Sequence, residues 1–153
     1  MMEPLISIQL LNTRRRRYRP GDDIDAQYQI DAVMPEDMVA VEASILWYTE
    51  GKGEEDISAV FFERRTLTDA PEGDLRRLRR FQTRLPKSPL SYDGVILKIR
   101  WCMRVRVFMK GGKDFFLEQS FQVGDVPRAK AVVIKKRRAE QEDEDPFGDD
   151  DAH

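Results

Sequence analysis

The chain has 153 residues, enough for one domain with a sizeable core and a tail. Its hydrophobic share, 41%, is a little under the usual one and its charged share, 35%, is well over it, so a modest core carries a heavily charged surface. One cysteine, Cys102, excludes an intramolecular disulfide and with it a small secreted disulfide scaffold.

Met1-Met2-Glu3-Pro4 is not a basic segment followed by a long apolar one, so no signal peptide is read there. No apolar run approaches the roughly 18–20 residues of a membrane span. A soluble, cytoplasmic protein is the expectation. The net charge of −2 hides a segregation. Residues 1–127 hold 20 Lys+Arg and 20 Asp+Glu, whereas residues 128–153 hold 6 and 8. A neutral body lacks the strong positive excess of a typical nucleic-acid binder.

The organisation is strand after strand. Leu5–Leu11 is mostly apolar. Arg19-Pro20-Gly21-Asp22 is a turn, with Pro presetting φ and Gly free to take positive φ. Ile24, Ala26, Tyr28, Ile30 and Ala32 then alternate with polar residues, the pattern of a half-buried strand. Val39–Thr49 and Ile57–Thr66 are β-branched and aromatic runs on either side of Glu50-Gly51-Lys52-Gly53-Glu54. Asp69–Asp74 breaks the pattern as a loop. Leu75–Arg80 is either one helical turn or extended chain. Phe81–Leu85 is a short strand, and Pro86–Gly94 is a long rigid connection suited to a crossover between sheets.

The clearest signal is the hairpin Ile96–Val123. Leu97, Ile99, Trp101, Met103, Val105 and Val107 share one phase, as do Phe115, Leu117, Gln119, Phe121 and Val123. A two-residue Gly111-Gly112 loop sets Val105 opposite Glu118, inside against outside. A three-residue loop, Lys110–Gly112, pairs Val107 with Phe115, Val105 with Leu117, Trp101 with Phe121 and Ile99 with Val123, and sets Arg104 opposite Glu118. The three-residue loop is therefore predicted. About seven strands in roughly 120 residues predict an all-β, two-sheet antiparallel sandwich over residues 1–127. Residues 128–153 form a basic-then-acidic tail, with Lys135-Lys136-Arg137-Arg138 followed by the acidic Glu140–Asp151, a composition expected to be disordered.

Two elements carry a family likeness. Tyr18-Arg19-Pro20-Gly21-Asp22-Asp23-Ile24-Asp25-Ala26 resembles the Tyr-x-Pro-Gly-[Asp/Glu]-x-Val-x-Gly turn and strand of arrestin-like domains, with Ala26 where Gly is usual. Leu85-Pro86, Pro89-Leu90-Ser91-Tyr92-Asp93-Gly94 and then Ile99–Val105 resemble the same family's proline–serine–tyrosine element and long strand. The likeness spans roughly Leu5–Gly124. It implies an immunoglobulin-like sandwich acting as an adaptor or scaffold rather than an enzyme. Arrestins carry two such domains in tandem and this chain has room for one, so only fold and adaptor character are implied.

Catalytic chemistry lacks its parts. The one histidine, His153, ends the acidic tail, and a Ser-His-Asp or Cys-His set needs a fixed imidazole. One Cys and one His cannot make the usual zinc sets, and no phosphate-binding glycine motif occurs. Asp22-Asp23 and Glu54-Glu55-Asp56 sit in turns without an apolar pocket. Cys102 lies between Arg100 and Arg104, where cations would favour a thiolate, but a small covered residue reads better. No enzyme activity, cofactor or metal is predicted.

The candidate binding residues are cationic: Arg14, Arg15, Arg16 and Arg17 in the first loop; Arg76, Arg77, Arg79 and Arg80 before the Phe81 strand; and the stripe Lys98, Arg100, Arg104 and Arg106. Glu118 answers one member of that stripe, leaving the others to the acidic tail, as a screen, or to a partner. Asp145, Pro146 and Phe147 form a candidate docking motif in the tail. A protein partner is expected, with nucleic acid or an anionic membrane surface as the alternative and homodimers through edge strands as a further option.

Overall fold

Strands apolar at every second position bury one face, and two such sheets cover each other here. The computed structural model of the chain describes residues 2–51, 53 and 55–125. In chain order the strands are β1 (Leu5–Leu10), β2 (Arg17–Tyr18), β3 (Asp23–Asp31), β4 (Met38–Gly51), β5 (Ile57–Thr66), β6 (Arg79–Arg84), β7 (Tyr92–Asp93), β8 (Leu97–Met109) and β9 (Asp114–Val123). The small sheet has the order β1-β3-β6; the large one runs β2-β9-β8-β4-β5, with β7 also paired to β8.

Seven of these strands have six or more residues, the number expected; the two others, β2 and β7, have two residues each, too few to show a period. Pro86–Gly94 does cross between the sheets, but it contains β7. The Asp69–Asp74 break contains a 3-10 turn at Pro71–Gly73, directly after another at Leu67–Asp69. Leu75–Arg80 is not a helical turn: Leu75 is fully buried, the Arg76 carbonyl accepts from Ile30 N–H at 3.2 Å, and β6 starts at Arg79.

The hairpin has the predicted three-residue loop. Val107 lies opposite Phe115, Val105 opposite Leu117, Arg104 opposite Glu118 and Trp101 opposite Phe121. One expected pair fails. The β8–β9 ladder ends at Trp101 and Phe121, and Ile99 faces Tyr92 of β7 instead of Val123. Val123 turns to Ser91, whose N–H donates to its carbonyl at 2.9 Å and whose hydroxyl accepts from its N–H at 2.8 Å. Leu117, expected inside, is 42% exposed.

The core lies between the sheets. Ile24, Tyr28 and Ile30 of β3 meet Val41 and Ile45 of β4 and Trp101, Met103, Val105 and Val107 of β8. Trp101 is fully buried, and its indole N–H donates to the Pro89 carbonyl at 3.1 Å, so burial leaves no orphaned donor. Along the β5–β6 flank, Phe61 stacks on Phe81 at 4.3 Å and Arg79 Nε donates to Glu63 at 3.1 Å. At the other flank Asn12 Oδ1 accepts from the Asp25 N–H and from the Tyr18 hydroxyl, both at 3.1 Å. The predicted domain boundary at 127 and the tail lie outside the described residues.

Candidate functional site

Alternation puts Lys98, Arg100, Arg104 and Arg106 on the solvent face of β8, as expected, where they meet rows from β4, β5 and β9. The expectation that most of this stripe goes unanswered within the body is corrected. Arg104 Nη2 lies 2.6 Å from Glu118, Arg106 Nε 2.9 Å from Asp114, Arg100 Nε 3.0 Å from Glu50 and Lys98 Nζ 3.7 Å from Asp93. Three of those carboxylates, Glu50, Asp93 and Asp114, come from β4, from β7 and from the start of β9, beyond the one cross-strand pair that the hairpin register predicted. The Arg106 contact is an ion pair without hydrogen-bond alignment.

The same face carries aromatic rings among the guanidinium groups. Arg64 and Arg106 sit over Phe108 at 5.1 and 5.7 Å, and Arg104 and Arg106 over Phe116 at 5.7 and 5.9 Å. Arg64 is itself paired to Glu42 at 2.6 Å. Phe62 and Phe116 remain 56% and 57% exposed. Between the larger side chains lies a floor of buried Ala40, Ser44, Leu46 and Cys102. Cys102 is not a reactive thiolate: desolvation pushes its thiol up to about 12, outweighing Arg104. Phe62, Arg64 and Phe116 were not singled out from sequence; each looks like an ordinary strand residue until the strand order brings β5 and β9 into one sheet face.

The second cluster disperses. Arg76 pairs with Asp74, Arg77 with Glu72, Arg79 with Glu63 and Arg80 with Asp25. Hydrogen bonds from Arg76 and Arg80 hold the Asp74 and Asp25 carboxyls below the usual carboxylate range. The first cluster behaves differently. Arg14, Arg15, Arg16 and Arg17 are exposed, and among the described residues their side chains have no carboxylate partner. Their loop is held by its backbone: Gln122 N–H donates to the Arg16 carbonyl and Gly124 N–H to the Tyr18 carbonyl, both at 2.8 Å.

Among the described residues no group of three or more His, Cys, Asp or Glu is placed to hold a metal ion, and no helix is long and apolar enough to cross a membrane. Asp145, Pro146, Phe147 and His153 lie outside the described residues.

No family description and no curated protein matches the chain. Among solved structures it is similar to Spo0M, a sporulation control protein from Bacillus subtilis, with a TM-score of 0.52 at 13% identity. The match covers 80% of this chain and 49% of that one, so the chain spans about half of Spo0M's length. The fold is an arrestin-like β-sandwich. At this identity the likeness extends to architecture alone, and it agrees with the family resemblance of the Tyr18–Ala26 and Leu85–Val105 segments.

Proposed function

We propose that the chain is a non-enzymatic, protein-binding adaptor domain that docks its partner on the outer face of the large sheet. The observation that carries this reading is the lattice of Phe108 and Phe116 with Arg64, Arg104 and Arg106, with Phe62 exposed on the edge strand of the same face. Arginine and aromatic side chains are the residue types that dominate binding hot spots, and here each guanidinium is already fixed by a carboxylate or a ring. A face held in place before binding loses little side-chain entropy on docking. Because its cations are compensated, a phosphate backbone would have to displace carboxylates to bind there, which favours a protein over a nucleic acid. β5 is the outermost strand of this sheet, so an extended segment of the partner, or of a second copy, can pair with its free edge beside Phe62.

The test is affinity capture with the full chain, identification of the captured protein, and calorimetric titration of that purified protein against wild type and a Phe62→Ala/Phe116→Ala variant. The expected result is at least a tenfold loss of affinity with unchanged thermal stability. A partner bound equally well by both proteins overturns the reading. The alternative, electrostatic attraction to an anionic surface, is favoured at a different place by the uncompensated Arg14–Arg17 loop.

A further inference from the structure

One end of the sandwich combines two features that the adaptor face does not use. The first is uncompensated positive charge. Arg14, Arg15, Arg16, Arg17, Arg19 and Lys87 are exposed there and have no carboxylate partner among the described residues. The nearby Asp22 carboxylate accepts from the Arg19 backbone N–H at 2.8 Å rather than from a guanidinium. The second is an apolar turn apex, where Val95 is 74% and Ile96 69% exposed.

The topology puts both at the same end but on different strands of the large sheet: the arginines precede and include β2, beyond β9, and the apex lies against β4, at the turn that also carries the exposed Glu55 and Asp56. β8 leaves this end at Leu97 and β9 returns to it at Val123, where Tyr18 pairs alongside. Ser91 is hydrogen-bonded to Val123, and the Gly94 N–H donates to the Leu97 carbonyl at 3.0 Å, closing the turn that carries Val95 and Ile96. That apex is backed by β4: a Cβ on Gly51 would come 2.1 Å from the Ile96 carbonyl oxygen, so the two backbones are in direct contact. The two aliphatic side chains are therefore held out by a braced turn.

We propose that this end docks on an anionic lipid bilayer, with Val95 and Ile96 entering the interface and the Arg14–Arg17 loop binding lipid phosphates and carboxylates. Exposed aliphatic residues at a turn apex gain from the acyl boundary, and cations at the same end of the domain gain from negative headgroups. A nucleic acid would satisfy the arginines but leave Val95 and Ile96 in water. The surface is separate from the Phe62–Phe116 face, so a domain bound this way keeps its adaptor face available.

The experiment measures binding of the full chain to unilamellar vesicles of phosphatidylcholine alone and of phosphatidylcholine with phosphatidylserine, and to duplex DNA of random sequence. Three proteins are compared: wild type, Arg14→Glu/Arg15→Glu/Arg17→Glu, and Val95→Asp/Ile96→Asp, each checked for an unchanged melting temperature. Arg16 is left in place because its φ of 55° makes its backbone sensitive to substitution. The expected result is binding to phosphatidylserine vesicles only, lost by about 100-fold in the arginine variant and at least about tenfold in the aliphatic one. Absence of vesicle binding overturns the proposal. So does vesicle binding that survives either set of substitutions, and so does DNA binding tighter than vesicle binding that is indifferent to Val95 and Ile96.

Discussion

Arg104 and Glu118 face each other across the β8–β9 hairpin, with Nη2 2.6 Å and Nε 2.7 Å from the same carboxylate oxygen. Both side chains are less than a third exposed, 28% and 29%, and the guanidinium also covers Phe116. A double-mutant cycle with Arg104→Ala and Glu118→Ala, read by chemical denaturation, is expected to give a coupling of about 0.5–1 kcal/mol, falling in high salt. A coupling indistinguishable from zero at low salt would mean that the pair does not order this face.

Gly51 and Gly111 both have positive φ, 145° and 91°, but their surroundings differ. Alanine at Gly111 meets nothing within 4 Å and bears only the backbone penalty, about 1 kcal/mol. Alanine at Gly51 also drives its methyl into the Ile96 carbonyl, and is expected to cost clearly more, about 3 kcal/mol or above. Equal losses of stability for Gly51→Ala and Gly111→Ala would contradict the close approach of β4 to the Val95–Ile96 turn.

Cys102 ties stability to alkaline pH. Its folded-state value of about 12 lies above the ordinary 9.0, so the thiol is protonated in both states below pH 9. Between pH 9 and 12 the unfolded chain ionises first, and stability falls by up to about 1.4 kcal/mol per pH unit. Cys102→Ala should show a shallower decline over that range, and the wild-type thiol should resist a disulfide reagent at pH 8 until denaturant is added. Rapid labelling of the native protein would show that the thiol is accessible.

Trp101 is the largest fully buried side chain. Trp101→Ala is expected to cost about 3–5 kcal/mol, enough to unfold a marginally stable domain. Trp101→Phe keeps most of the apolar volume but strands the Pro89 carbonyl, at an expected cost of about 1–3 kcal/mol. Near-ultraviolet circular dichroism and urea titration distinguish the two; a fully stable Trp101→Ala protein would be inconsistent with its place between the sheets.

The hairpin could be read to its register because alternation and a Gly-Gly loop leave few ways to keep Trp101 and Phe121 on one face. β3, β4 and β5 were legible for the same reason. β2 and β7 were not, since each has only two residues; Arg17-Tyr18 becomes a strand by pairing with the distant Gln122-Val123, and Tyr92-Asp93 by pairing with Lys98-Ile99 a few residues on. The binding face was half legible. The β8 stripe follows from period two, but its neutralisation by Glu50, Asp93 and Asp114 depends on strand order or on the far end of the hairpin. The Arg14–Arg17 run stood out from the start; that it alone among the three clusters stays uncompensated within the described residues is a matter of tertiary placement.

The pairing of β2 with the end of β9 joins residues 17–18 to residues 122–123, from opposite ends of the domain's sequence. The loop closed by that contact is among the longest the domain can form, and its entropy must be met before the contact can return any stabilisation. During synthesis the β1–β3 hairpin can form early, whereas Arg14–Arg17 reaches its final position only when the last strand is in place. The cationic end is therefore assembled last, and a chain truncated before Val123 would keep the loop's hydrogen bonds to Asn12 and Thr13 but lose its attachment to β9.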